Sequence, residues 1–265
     1  MTPDERAQLD ATLLRNGARF ATRHRAVVAE RLWPRGKLSH FAKQGLALEA
    51  FQQYMLATED ILTWLCALME WEPGGGPETS ILARLDTVRI GQKLAGGRDY
   101  RETSLRAKFD AMTVEQFRSA LKIPPDDDLV ARSVLPPYMR LLIDPELEAW
   151  LGGLRAAIAQ RIEQGGAWVK AYNKTKHGLL GLFDTDPAGQ PAVVLITATG
   201  PYTQLPIPIS RTFLRALPSD IEKRIARTIR IVAVLQTILA FILGIHFGEW
   251  EPAPKWVEDA QKLIV

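Results

Sequence analysis

The chain has 265 residues, 47% of them hydrophobic and 24% charged, with a formal net charge of +3. That length buries a core in one large domain or two modest ones, and so small a net charge is by itself no argument for nucleic acid. A single cysteine, Cys66, excludes an internal disulfide framework; in ILTWLCALM it reads as a small buried hydrophobe, not a nucleophile.

The opening MTPDERAQLD is polar and acidic and has no secretory pattern, which sets the expectation of a reducing cytoplasm. Asp4 to Trp33 predicts a long helix, with Leu9, Leu13, Phe20, Val27 and Val28 near helical spacing and Pro34-Arg35-Gly36 as the stop. This stretch is basic. Arg15, Arg19, Arg23, Arg25, Arg31, Arg35 and Lys37 are opposed between residues 15 and 37 only by Glu30, and His24 adds to the patch. Such clustering suits a phosphate ligand, and it also suits a solvated helix face whose counter-charges come from the rest of the fold.

A second long helix is expected from His40 to Trp71, with a broad apolar stripe of Leu48, Phe51, Met55, Ile61, Leu62, Leu65 and Leu68. PGGGP, residues 73–77, ends it. No Lys-Ser or Lys-Thr follows those glycines, and the prolines lack the amide donors a phosphate cradle needs, so a turn is expected there. Residues 79–95 and 113–121 predict shorter helices, the second opening on the capping box Thr113-Val-Glu-Gln116. The three aspartates of IPPDDDL, in a proline-rich loop, read as a solvated turn and not as metal ligands.

Asp144-Pro145-Glu146 is a helix start. The apolar series Leu147, Leu151, Leu154, Ile158, Ile162 and Val169, softened at Gly165-Gly166, carries that helix toward His177, with Gly178 just past its end. The period then changes. PAVVLITA and YTQLPIPI predict a β-hairpin or small sheet at about 183–209, with Pro206 and Pro208 confining the second strand to an edge. Ser219-Asp-Ile-Glu222 has the form of a capping box before a helix that reaches Phe247, with Gly248 beyond, and a short helix is expected over 254–263. Within that long helix, Ile231–Phe247 is 17 apolar-rich residues broken by Gln236, Thr237 and His246. A membrane span needs about 20, and a buried central helix fits better. The expected fold is mostly α: a helical bundle with a small β-hairpin insertion. Residues 1–38 pack as a basic helix on the bundle of 39–265, in one compact domain.

KAYNKTKHGLL, residues 170–180, departs from the habits of the chain. It holds three of the 11 lysines and one of the two asparagines. On a helix Lys170, Asn173 and His177 share one face, flanked by Lys174 and Lys176. That face combines an imidazole, whose ordinary pKa of about 6.5 suits proton transfer at neutral pH, a carboxamide able to hold one tautomer, and cations for phosphate. The preference of helix C-termini for lysine and histidine explains the charges without any function, but it does not explain Asn173, a poor helix former.

YNKTKHG resembles the motif helix of the HEPN superfamily, small all-α domains of prokaryotic toxins and antiviral systems. Their signature is an arginine, a polar residue, then three to five residues before a histidine. Asn173 and His177 match the polar residue and the histidine, whereas Tyr172 stands at the arginine position. Families with an N-K-x-K-H-G variant are the nearest likeness. The likeness covers about half the chain, with 46–68 as the first bundle helix, 145–178 as the motif helix and 219–247 as the closing one. It implies metal-independent RNA cleavage at a homodimer interface.

Tyrosine lacks the guanidinium fork of arginine. Lys170 supplies a point charge instead, and the balance tilts toward binding with weak or no cleavage. The catalytic candidates are therefore His177, Asn173 and Lys170. The nucleic-acid-binding candidates are Lys174, Lys176, Tyr172, Arg19, Arg23 and Arg25, and RNA or a nucleotide is the expected ligand. No zinc-ligand spacing and no Gly-x-Ser-x-Gly motif occurs, so neither metal nor cofactor is expected. The rival readings are a non-enzymatic protein-interaction bundle and a membrane-associated protein using residues 231–247.

Overall fold

The computed structural model describes residues 2–88, 105–125, 128, 143–162, 172, 181–198, 206, 209–250 and 255–262. Its elements in chain order begin with α1 (Pro3–Asn16), a π-helical turn (Gly17–Ala21), α2 (Thr22–Arg31), α3 (His40–Glu70) and α4 (Ile81–Thr87). Next come α5 (Leu105–Ala111), α6 (Val114–Ala120) and α7 (Ile143–Ile162). The strands β1 (Gly181–Thr185), β2 (Pro191–Ala198) and β3 (Ile209–Arg215) follow, then α8 (Pro218–Phe247) and α9 (Lys255–Lys262). The chain is mostly helical, with one small antiparallel sheet, as its periodicities predict.

Two helices organise the rest. α3 and α8 run parallel along each other: Ala47 and Ala50 share a cluster with Ile221 and Ile225, and at the other end Trp71 stacks on Phe247 and meets His246 edge to face. α3 buries a broad face and α8 buries residues on every side along its second half, as core helices do. α8 is long and apolar enough to cross a membrane, yet 72% of its most apolar window is buried inside the protein. Cys66 is buried in the same core.

The other elements form a shell. α1 and α2 lie antiparallel to the central pair, with Leu14 and Ala18 in the main cluster and Ala29 against Ala47 and Ile225. α7 packs Leu147, Leu151, Leu154 and Ile158 into that main cluster, and its Arg155 donates to the Phe109, Asp110 and Met112 carbonyls at the end of α5. Val257 of α9 closes the cluster around Ile225. The sheet, in the order β1-β2-β3, lays Val193, Leu195 and Leu214 on Phe51, Tyr54 and Met55 of α3. The buried Gln44 of α3 clamps it by donating to the carbonyls of Asp184 (2.9 Å) and Ala192 (3.2 Å).

Three local expectations are sharpened or changed. Of the hairpin or small sheet expected, the small sheet forms, with three strands. β1 turns into β2 through Asp186–Gln190 with Gly189 at φ +75°, and β3 begins at Ile209, where the predicted second strand ends. Of that predicted strand, residues 202–205, 207 and 208 lie outside the described residues. Ser219 does not cap α8. The helix starts earlier, at Pro218, with Leu217 as an N-cap that offers no side-chain bond; the preset φ of proline suits the first helical position and puts Ser219 inside the first turn. The exposure of Phe20 and Val27, taken up below, is the third. By contrast Thr113 and Gln116 form both bonds of their capping box, and Gly248 ends α8 in the left-handed conformation.

Two buried carboxylates hold the shell in place. Asp10 of α1 accepts from the indole N–H of Trp71 at 2.8 Å and from the Ile81 amide at 3.0 Å, so one side chain joins α1, the end of α3 and the start of α4. Asp186 accepts from the amides of Ala188 and Gln190 and from Arg215 Nε at 2.8 Å. The bond from Gln190 above all, with those from Ala188 and Arg215, holds the Asp186 carboxyl below its ordinary range in spite of its burial.

Asp10→Ala leaves two buried donors without their acceptor and should destabilise the protein by about 2–4 kcal/mol in denaturant unfolding. The folded pKa of Asp186 is depressed, so its contribution is present above the unfolded carboxylate value and lost as pH falls through the folded one. Wild-type stability should therefore decline on acidification below about pH 4, and Asp186→Asn should flatten that decline in unfolding curves taken across the range.

Candidate functional site

Lys170, Asn173, Lys174, Lys176 and His177, together with the helix expected to carry them, lie outside the described residues. Tyr172 is the described residue of that stretch, and it is helical. Its ring is 1% exposed and packs in the cluster of Phe51, Tyr54, Met55, Val193, Leu195 and Leu214, between α3 and the sheet. Tyr172 is thus a core residue with no open face for a base, a correction to its expected role in binding nucleic acid. The signal was present in the sequence: Val169 to Tyr172 continues the three-and-four spacing of the preceding apolar series.

Arg19, Arg23 and Arg25 belong to the π-helical turn and to α2. Here the Thr22 amide reaches back to the Gly17 carbonyl, and the Thr22 hydroxyl donates to the Ala18 carbonyl at 2.7 Å. Glycine is required at residue 17 by contact: an added Cβ would lie 2.9 Å from both Trp64 Cζ2 and Leu239 Cδ1. The helix therefore comes close to α3 and α8 at this point. The wider turn takes up extra chain per revolution, and the face that a regular helix would bury drifts outward. Phe20, expected in the core from its spacing, is 67% exposed, and Val27 is 37% exposed.

Beside this turn opens a groove of about 630 Å³ whose walls include Leu13, Asn16, Phe20, Trp64, Val232 and Leu235. Its volume lies within the range of small-ligand sites. His24 and the pair Arg25–Asp60 also border it. Arg25 is committed there: Nε and Nη2 both bond Asp60 Oδ2 at 2.5 Å, and Nη1 donates to Gln53 at 3.3 Å. Arg25 is therefore a structural tie between α2 and α3 first, a partial correction to its reading as a phosphate contact.

Arg15 is committed too. Its Nε donates to Glu249 Oε2 at 2.8 Å, and its Nη2 donates to the other oxygen, Oε1. That hydrogen bond raises the Arg15 pKa and lowers that of Glu249, on which Arg19 exerts a further, smaller pull. Arg19, Arg23, Arg31, Arg35 and Lys37 remain exposed along this side of the molecule, with Glu30 as the exposed acid among them. The basic run is thus partly absorbed by the fold and partly displayed.

The described residues include no group of three or more His, Cys, Asp or Glu placed to hold a metal ion. His246 lies against Trp71 at the end of α8, and His40 opens α3 behind its Ser39 cap. Sequence reasoning missed Asn16, Phe20 and Trp64 as neighbours. The available signal was Gly17, a glycine inside an otherwise regular helical run. Compared with family models, curated proteins and solved structures, the chain finds no match.

Gly17→Ala must push Trp64 and Leu239 apart or straighten the turn. It should cost about 1–3 kcal/mol in thermal or denaturant unfolding, as overpacked sites do, and it should shift the Trp64 environment seen by fluorescence.

Proposed function

We propose that this is a HEPN-like helical protein that binds RNA, with weak or no metal-independent cleavage, acting as a cytoplasmic homodimer in a defence or toxin–antitoxin setting. The family likeness rests on YNKTKHG. The single observation that carries the RNA reading is the exposed face of the π-turn and α2, where Arg19 and Arg23 alternate with the exposed Phe20 and His24. Cations that meet phosphate, interleaved with an aromatic ring on which a base can lie, are what single-stranded nucleic acid requires.

The chemistry assigned to the motif follows from its residue types. His177 takes a proton from a ribose 2′-hydroxyl as that oxygen attacks the adjacent phosphorus, and the 5′-oxygen leaves with a proton returned to it. Asn173 holds the imidazole, and Lys170 meets the charge developing on the phosphate. With Tyr172 packed in the core at the arginine position, that position contributes no guanidinium fork, which favours binding over turnover.

Purified protein incubated with total RNA in a chelator should retain RNA. Any fragments it forms should end in cyclic phosphate and disappear in His177→Ala, while its unfolding midpoint stays near wild type. Absence of both binding and cleavage would overturn the reading. Cleavage that survives the substitution would remove His177 from the chemistry.

A further inference from the structure

We propose that the groove beside the π-turn is a subsite for an unstacked base of single-stranded RNA, laid on Phe20, with the flanking arginines meeting the backbone phosphates. This rests on the RNA reading above and deepens it, because it names a subsite on residues distinct from the motif around His177.

Three independent features coincide there. Phe20 is a large aromatic side chain, 67% exposed, at the lip of an open apolar groove. A single exposed apolar residue is ordinary, but this one is displayed by a π-helical turn, a distortion that recurs at functional sites. That turn is kept tight against Trp64 and Leu239 by a glycine without room for a Cβ. The exposed side chains next to Phe20 and one turn on include the guanidinium groups of Arg19 and Arg23 and the imidazole of His24.

The chemistry of the lining selects the ligand. A nucleobase is flat, apolar on its faces and polar at its edge. The groove offers an aromatic face at Phe20, apolar walls at Leu13 and Val232, and the exposed carboxamide of Asn16 for the edge. Paired bases in a duplex are stacked and cannot enter, so the preference is for single strands. Stacking on an aromatic ring tolerates any base, and the subsite should show little sequence preference. An acidic amphipathic helix of a protein partner is the competing occupant. It would match the cations, but it has no use for a lone ring beside a carboxamide.

The test measures fluorescence anisotropy of a labelled single strand of about 12 nucleotides, within the usual site size for such binders. The comparison strands are the matching duplex and a strand of the same length with abasic positions. Wild type should bind the base-bearing strand best. Phe20→Ala should weaken that binding about tenfold or more and leave the weak binding of the abasic strand unchanged. Phe20→Trp should keep it. Since Phe20 is mostly exposed, its removal leaves the fold intact, which an unchanged unfolding midpoint verifies.

Equal binding by wild type and Phe20→Ala, or of abasic and base-bearing strands, would overturn this subsite and remove Phe20 from the RNA reading, which would then rest on the arginines and the motif. Binding of no strand at all would sink both. An acidic amphipathic peptide that binds in a Phe20-dependent way, where no strand does, would assign the groove to a protein and overturn the proposal.

Discussion

The parallel packing of α3 on α8 is the constraint from which the rest of the molecule follows. Both helices carry apolar faces too broad to be left to water, although α8 keeps Lys223, Arg227 and Arg230 exposed in its first half. Each remaining element covers part of this pair: α1 and α2 on one side, the sheet against the first half of α3, α7 with α5 and α6 against the second half, and α9 over the start of α8. A helix of this hydropathy could pass for a membrane segment in isolation. Here its apolar surface is already occupied by protein.

The same constraint shapes the surface. α1 and α2 lie along the central pair over almost thirty residues. At Gly17 the Trp64 ring and Leu239 leave no room for a Cβ, and there the helix widens into the π-turn. Packing beneath the helix thereby displays an aromatic ring above it. A groove whose floor is core and whose lip is exposed is the direct result.

Electrostatics is divided in the same way. Arg15 and Arg25 are held by Glu249 and Asp60, acids that stand 234 and 35 residues away in the chain, one just past the end of α8 and the other in α3. These pairs are half-buried and act as ties between elements. Arg23 and Arg31 are exposed to solvent, where their attraction for an anionic ligand is long-ranged and weakened by salt. One run of arginines thus serves both cohesion and display.

The helix content, the long α3 and α8, the Thr113 capping box, the Gly248 stop and the buried Cys66 were legible in the sequence, because helical spacing and end signals are local properties of a chain. The existence of β structure was legible from PAVVLITA for the same reason. The third strand, the early start of α8, the burial of Tyr172, the exposure of Phe20 and the choice of which arginines are neutralised were decided only by tertiary structure. Each depends on what lies across from a residue: a neighbouring strand, the Trp64 ring, a distant carboxylate. Spacing along one chain assigns a side chain to a face, but only the packing of other elements against that face makes it core or surface.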